Sequence, residues 1–232
     1  MNKDVIIACD FPGAAQTYAF LDLFTEEKPF VKIGMELFYS AGPEIVREIK
    51  RRGHKIFLDL KLHDIPNTVG RSMAVLSGLD VDICNLHAAG GSEMMRAAVK
   101  GLTREDGSRP LLIAVTMLTS IDEERMNGEL GIQGSLPDTV MKYALCARDS
   151  GLDGVVCSPL EAQAVHETCG ESFLTVTPGI RFSGGAEGDQ KRVTTPARAR
   201  EIGSNYIVVG RPITAAADPV EAYRRCVRGF LG

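Results

Sequence analysis

No excess of basic charge marks this chain: 26 Lys and Arg stand against 30 Asp and Glu, a formal net charge of −4. That balance leaves no electrostatic footprint for nucleic acid or for an anionic membrane, so any anionic ligand must be held by a local site. No C-x-x-C pair occurs among the six cysteines, Cys9, Cys84, Cys146, Cys157, Cys169 and Cys226. In a chain of this size they read as reduced, small core hydrophobes, which excludes a disulfide framework and points to a cytoplasmic setting. Lys3 and Asp4 precede only a short apolar run, so the N-terminus is expected to be neither a signal peptide nor a transmembrane span. Linkers, low-complexity tracts and short-period repeats are missing as well.

What is present is a sequence of short, apolar, β-branched runs: Val5–Cys9, Phe30–Ile33, Lys55–Leu60, Val81–Leu86, Leu111–Met117, Gly154–Cys157, Phe173–Thr177 and Tyr206–Val209. Between them lie segments with helical spacing and helix start or stop residues, such as Gly42–Arg52, Glu93–Leu102, Leu136–Ser150 and Pro196–Gly203. Continuous apolar strands alternating with helices predict parallel strands buried on both faces. Eight such units over 232 residues, 44% of them hydrophobic, predict one (β/α)8 TIM barrel spanning residues 1–232 as a single domain. A doubly wound sheet is the structural rival. It would ordinarily need fewer strands, and no G-x-G-x-x-G follows the first run.

In such a barrel the C-terminal strand ends and the loops after them build the active site, so the polar residues that end or interrupt the apolar runs are the ones to examine. Asp10 ends the first run, and Lys32 breaks Phe-Val-Lys-Ile-Gly. Asp59 and Lys61 close Ile-Phe-Leu-Asp-Leu-Lys, with Asp64 three residues on. Residues at i and i+2 of a strand share a face, so Asp59 and Lys61 are expected to project together, with Leu60 on the other side. A structural ion pair at the barrel mouth would look the same. Lys32, brought alongside by the neighbouring strand, argues for a functional cluster of alternating sign. At the other side of the barrel, Thr177-Pro178-Gly179-Ile180-Arg181 runs into the Gly-rich stretch Ser183–Gln190, and the last strand ends in Gly210-Arg211-Pro212. Loops after strands seven and eight commonly bind phosphate. Glycines admit the anion to backbone N–H groups, and arginine supplies a bidentate fork.

Together these residues resemble the orotidine 5′-phosphate decarboxylase family. The matching segments are Asp59-Leu-Lys61-Leu-His-Asp64-Ile-Pro-Asn-Thr68, Val115-Thr-Met-Leu-Thr119-Ser120, Thr177-Pro-Gly-Ile-Arg181, Gly188-Asp-Gln190-Lys-Arg and Gly210-Arg211-Pro212. The similarity runs from Asp10 to the final helix. The D-x-K-x-x-D element alone places only the superfamily; the Leu-Thr-Ser segment and the Gln-bearing loop make the match specific. The resemblance implies decarboxylation of orotidine 5′-monophosphate to uridine 5′-monophosphate without a cofactor or metal. It implies a homodimer whose active sites are shared, with a Lys32, Asp59, Lys61, Asp64 network in which Asp64 belongs to the partner's site and Lys61 is the proton donor. Asp10 and Lys32 would contact the ribose, while Ile65 and Thr68 would shape the neighbouring subunit's site. Thr119 and Ser120 would lie near the pyrimidine. Gln190, Gly210 and Arg181 with Arg211 would hold the phosphate or close the 182–190 loop over it, and Pro178 would bind the substrate.

The chemistry fits those residue types. Loss of CO₂ from C6 leaves electron density in an in-plane orbital that the ring π system delocalises poorly, and no cofactor sink is at hand. A fixed ammonium can stabilise that charge and then deliver the proton. Other signals carry less. His63 and His87 could be proposed as metal ligands with Asp59 or Asp64, but Lys61 puts a competing cation in such a site. The acidic run Asp122–Arg125 reads as a solvated loop or helix start, and Met94 with Met95 reads as helix packing. The alternatives are a Mg²⁺-dependent sugar-phosphate lyase of the same superfamily and a catalytically silent nucleotide sensor. Thr119, Ser120 and Gln190 favour the pyrimidine, and the intact charged set argues against the sensor.

Overall fold

Eight parallel strands, paired in chain order, close on themselves in the computed structural model, which describes residues 3–182 and 194–232. They are β1 (Asp4–Ala8), β2 (Phe30–Gly34), β3 (Ile56–Leu62), β4 (Ile83–His87), β5 (Leu111–Val115), β6 (Gly154–Val156), β7 (Leu174–Thr177) and β8 (Tyr206–Val209), with β8 pairing back onto β1. Helices α1 (Ala14–Leu21), α2 (Met35–Ala41), α3 (Glu44–Arg51), α4 (Pro66–Ser77), α5 (Gly91–Leu102), α6 (Glu123–Gly128), α7 (Leu136–Asp149), α8 (Ala162–Cys169), α9 (Pro196–Glu201), α10 (Arg211–Thr214) and α11 (Pro219–Leu231) pack outside. This is the (β/α)8 barrel that the apolar runs predict. The run Leu111–Met117 is strand only to Val115, because the chain leaves the sheet there to carry Thr119 over the barrel mouth.

The strands read as uninterrupted apolar runs because both faces are buried. One set of alternating side chains, including Val5, Ile7, Val31, Ile33, Leu58, Leu60, Leu112 and Ala114, packs outward under the helices. The other set, including Ile6, Phe30, Phe57, Ile83, Ile113, Val176, Tyr206 and Val208, fills the barrel. Helix starts follow local chemistry. Ser135, Thr195 and Asp218 each accept a backbone N–H of the first turn and are followed by a proline at one of the first two helical positions. Asp122 caps α6 in the same way, so the acidic run is a helix start. Helices α4 and α5 approach through glycine: a methyl group at Gly101 would land on the Gly70 carbonyl. Of the six free cysteines, five are buried and Cys146 is half-buried. Among the described residues no helix is long and apolar enough to cross a membrane.

One strand departs from simple alternation. The pairing of β3 with β4 shifts register between Leu58 and Leu62, and Lys61 adopts φ of +52°, in the left-handed region. Such a bulge re-aims a side chain at the strand end. Asp59 and Lys61 do meet as expected, but through this bulge rather than through regular strand geometry.

Candidate active site

The inward-facing residues change character toward the C-terminal end of the barrel. Phe30 is followed two positions on by Lys32, Phe57 by Asp59, and Ile83 by Asn85; Ala8 is followed by Asp10. Strand register puts Lys32 level with Phe57, and Asp59 level with Gly34. The result is a row of charges of alternating sign. Asp10 Oδ1 lies 3.0 Å from Lys32 Nζ, Lys32 Nζ lies 3.2 Å from Asp59 Oδ2, and Asp59 Oδ1 lies 2.7 Å from Lys61 Nζ. Asp59, only 7% exposed, is the hub.

Electrostatics favours the charged forms of Asp59 and Lys32. Burial pushes the Asp59 carboxyl up, but Lys32, Lys61 and the hydrogen bond from Asn85 together outweigh it and hold its pKa below the ordinary value. Burial likewise opposes the Lys32 ammonium, and Asp59 and Asp10 together overcome it, so that its pKa is raised. At the adjoining rim the rings of His63 and His87 pack with centroids 5.5 Å apart. Burial, with His63 and Lys61 adding to it, lowers the His87 pKa.

These charges line one side of a cavity of about 440 Å³. Thr119, on the segment after β5, and Pro178, Gly179, Arg181, Gly210 and Arg211, from the segments after β7 and β8, line it too. Gly179 takes φ of +83°. Its carbonyl accepts the Thr194 N–H at 3.0 Å, and the Thr194 carbonyl accepts the Arg181 N–H at 2.9 Å, fixing the exit of β7. The remaining wall is apolar, with Val115, Met117, Leu118, Val156 and Cys157 prominent in it. A pocket lined by Lys32, Lys61, Arg181 and Arg211 together with an apolar wall suits an anionic ligand that also carries a flat, less polar ring. Among the described residues no group of three or more His, Cys, Asp or Glu side chains is placed to hold a metal ion.

A profile of the orotidine 5′-phosphate decarboxylase / HUMPS family matches residues 3–226. Proteins described as orotidine 5′-phosphate decarboxylase from Bacillus cereus (strain G9842) and Bacillus cytotoxicus are each 56% identical over 235 aligned residues, covering 100% of this chain and 99% of theirs. The chain belongs to this family. Solved structures agree. Orotidine 5′-phosphate decarboxylase from Lactobacillus acidophilus superposes with a TM-score of 0.89 at 42% identity, covering 100% of both chains. An uncharacterised conserved protein from Geobacillus kaustophilus gives 0.87 at 48% identity, covering 97% of this chain and 99% of that one.

Nine of the residues expected from sequence therefore line one cavity in this family member: Asp10, Lys32, Asp59, Lys61, Thr119, Pro178, Arg181, Gly210 and Arg211. Asp64, Ile65 and Thr68 do not. They are exposed on the outer rim where β3 leads into α4, and Asp64 Oδ1 accepts the Ile65 N–H. Ser120 is exposed beside the cavity, its carbonyl accepting from Arg125. Gln190, with the rest of the Gly-rich stretch from Ser183, lies outside the described residues. Two groups went unnoticed in the sequence. The apolar wall is one, because Met117 and Leu118 look like any strand end. The other is Asn85, whose signal was legible: a polar amide interrupting the apolar run Ile-Cys-Asn-Leu.

Proposed function

We propose that the chain removes CO₂ from orotidine 5′-monophosphate to give uridine 5′-monophosphate in pyrimidine biosynthesis, and that Lys61 stabilises and then protonates the C6 carbanion. The observation that carries this reading is the row Asp10–Lys32–Asp59–Lys61, with Asp59 buried at its centre, lining one cavity together with Arg181 and Arg211. The phosphate is held between the segments after β7 and β8. The ring lies against the apolar wall, and C6 meets the Lys61 ammonium. Departure of neutral CO₂ relieves the negative charge beside Asp59, while the electron pair left on C6 meets a preorganised cation and takes its proton. Asp10 and Lys32 hold the ribose hydroxyls, and Thr119 with Ser120 borders the pyrimidine.

The working unit is a homodimer with shared sites. Asp64, Ile65 and Thr68 are exposed together on the rim of their own barrel, where they can complete a neighbour's site and place a second carboxylate beside its Lys61. The enzyme works in the cytoplasm, in keeping with six free thiols.

The test is the ultraviolet assay for loss of orotidine 5′-monophosphate, with and without EDTA, on the wild type and Lys61→Ala. Turnover that is indifferent to EDTA and falls by at least roughly 10²-fold on losing Lys61 is expected, since one preorganised electrostatic donor is worth about 3–4 kcal/mol. Turnover abolished by EDTA would contradict the metal-free mechanism, and no turnover of orotidine 5′-monophosphate at all would point instead to a metal-dependent sugar-phosphate lyase. An active Lys61→Ala enzyme would remove the assigned proton donor.

A further inference from the structure

Asn85 lies on β4 directly behind the charged row, 1% exposed, and does not line the cavity. Both ends of its carboxamide are engaged at the reacting side of the site. Nδ2 donates to Asp59 Oδ1 at 2.6 Å, and Oδ1 accepts the backbone N–H of Lys61 at 2.8 Å. The same Asp59 oxygen receives the Lys61 ammonium at 2.7 Å. One side chain thus ties the carboxylate to the backbone of the very residue whose charge that carboxylate holds. The Lys61 N–H falls where the pairing of β3 with β4 loses register, so the regular strand ladder is broken at that point. The left-handed backbone of Lys61 persists only where its surroundings over-determine it, and the Asn85 amide supplies that constraint.

We propose that Asn85 is a positioning residue for the decarboxylation: it holds the Lys61 backbone in its bulge and orients the Asp59 carboxylate, so that the ammonium is aimed at C6. The proposal rests on the function assigned above. The chemistry is specific to an amide. An apolar side chain of similar size would leave a buried N–H without a partner and take one hydrogen bond from the carboxylate. A carboxyl has the right shape but can donate to Asp59 only while protonated. That close to Asp59 it would retain its proton well above the usual range, since two adjacent carboxylates resist double ionisation. The titratable groups around the spot are Asp59 and Lys61 from β3, Lys32 from β2, His87 from β4 itself and His63 beyond β3.

The experiment compares full-length wild type, Asn85→Ala and Asn85→Asp in turnover of orotidine 5′-monophosphate and in calorimetric binding of uridine 5′-monophosphate, with thermal melts to show that each variant is folded. Asn85→Ala is expected to lower kcat by roughly 10²-fold, the usual consequence of an ångström-scale misplacement of a reacting group, while product affinity stays within about threefold, because the phosphate and ribose contacts are elsewhere. For Asn85→Asp, kcat relative to wild type is expected to fall as pH rises from about 6 to 9, as the added carboxyl loses its proton. The isosteric variant carries the test alone if Asn85→Ala does not fold. Wild-type kcat in folded Asn85→Ala, or in folded Asn85→Asp across the whole range from about pH 6 to 9, would overturn the proposal. So would equal losses in kcat and product affinity combined with a pH-independent ratio, since that marks a structural role. A wild-type chain that does not turn over orotidine 5′-monophosphate refutes the assigned function instead, so the two failures are separable.

Discussion

Replacing Asp59 by Asn removes the one carboxylate that separates two ammonium groups. Asp59 is 7% exposed, with Lys61 Nζ at 2.7 Å and Lys32 Nζ at 3.2 Å. Deleting one partner of a buried ion pair costs about 3–5 kcal/mol, because the remaining charge stays buried without compensation. In a chain of this size each kcal/mol moves the melting temperature by about 2–4 °C, so Asp59→Asn is expected to melt roughly 10 °C below wild type at pH 7. The pH dependence follows from the sign of the shift. The Asp59 pKa is lowered in the folded state, mainly because Lys32 and Lys61 overcome the opposing effect of burial. The stabilisation is therefore complete above the ordinary carboxylate value of about 3.9 and is lost as the pH falls through the lowered value. Differential scanning calorimetry of both proteins from pH 7 down into the acid-unfolding range should show a constant gap to about pH 4 that closes below it. A gap under about 2 °C at pH 7, or one already shrinking between pH 7 and 5, would mean that the lysines do not hold Asp59 ionised.

Gly101→Ala should lower stability by about 1–3 kcal/mol while leaving the charged row in place, since the new methyl group meets the Gly70 backbone across the α4–α5 contact; a melt unchanged from wild type would contradict the packing. In the proposed dimer with shared sites, mixing Lys61→Ala and Asp64→Ala chains, each inactive alone, should restore activity, because one site of a mixed dimer would carry both lesions and the other would be intact; no recovery after subunit exchange would place Asp64 outside the neighbouring site. Orotidine, which lacks the phosphate, should lose turnover as well as affinity, because remote binding energy lowers the chemical barrier. Equal kcat for nucleoside and nucleotide would rule that out.

The barrel was legible because each buried strand is a short apolar run, and eight runs separated by helical spacing admit few other architectures. Lys32 and Asp59 were legible for a related reason: a charge inside an apolar strand needs either a partner or a function. The bulge at Lys61 was not, since a register shift depends on what β4 offers opposite β3, and nothing in Asp-Leu-Lys announces it. Asn85 was overlooked although it interrupts β4, because its importance lies in the two atoms it touches rather than in its own charge. Gly70 and Gly101 look like weak points of two helices until the helices are seen to meet there. The role expected of Asp64 depends on a second chain, which a single barrel leaves undetermined. Arg181 and Arg211 were found as candidates because they follow strands seven and eight, the usual phosphate side of such barrels.

A crystal structure with uridine 5′-monophosphate bound bears most directly on the chemistry. The Lys61 ammonium should lie within about 3.5 Å of C6, in line with a near-attack arrangement, with its bond to Asp59 retained and the phosphate between the segments after β7 and β8. A lysine nitrogen turned away from C6, or a metal ion occupying its place, would contradict the assignment of carbanion stabilisation and proton delivery to that one side chain.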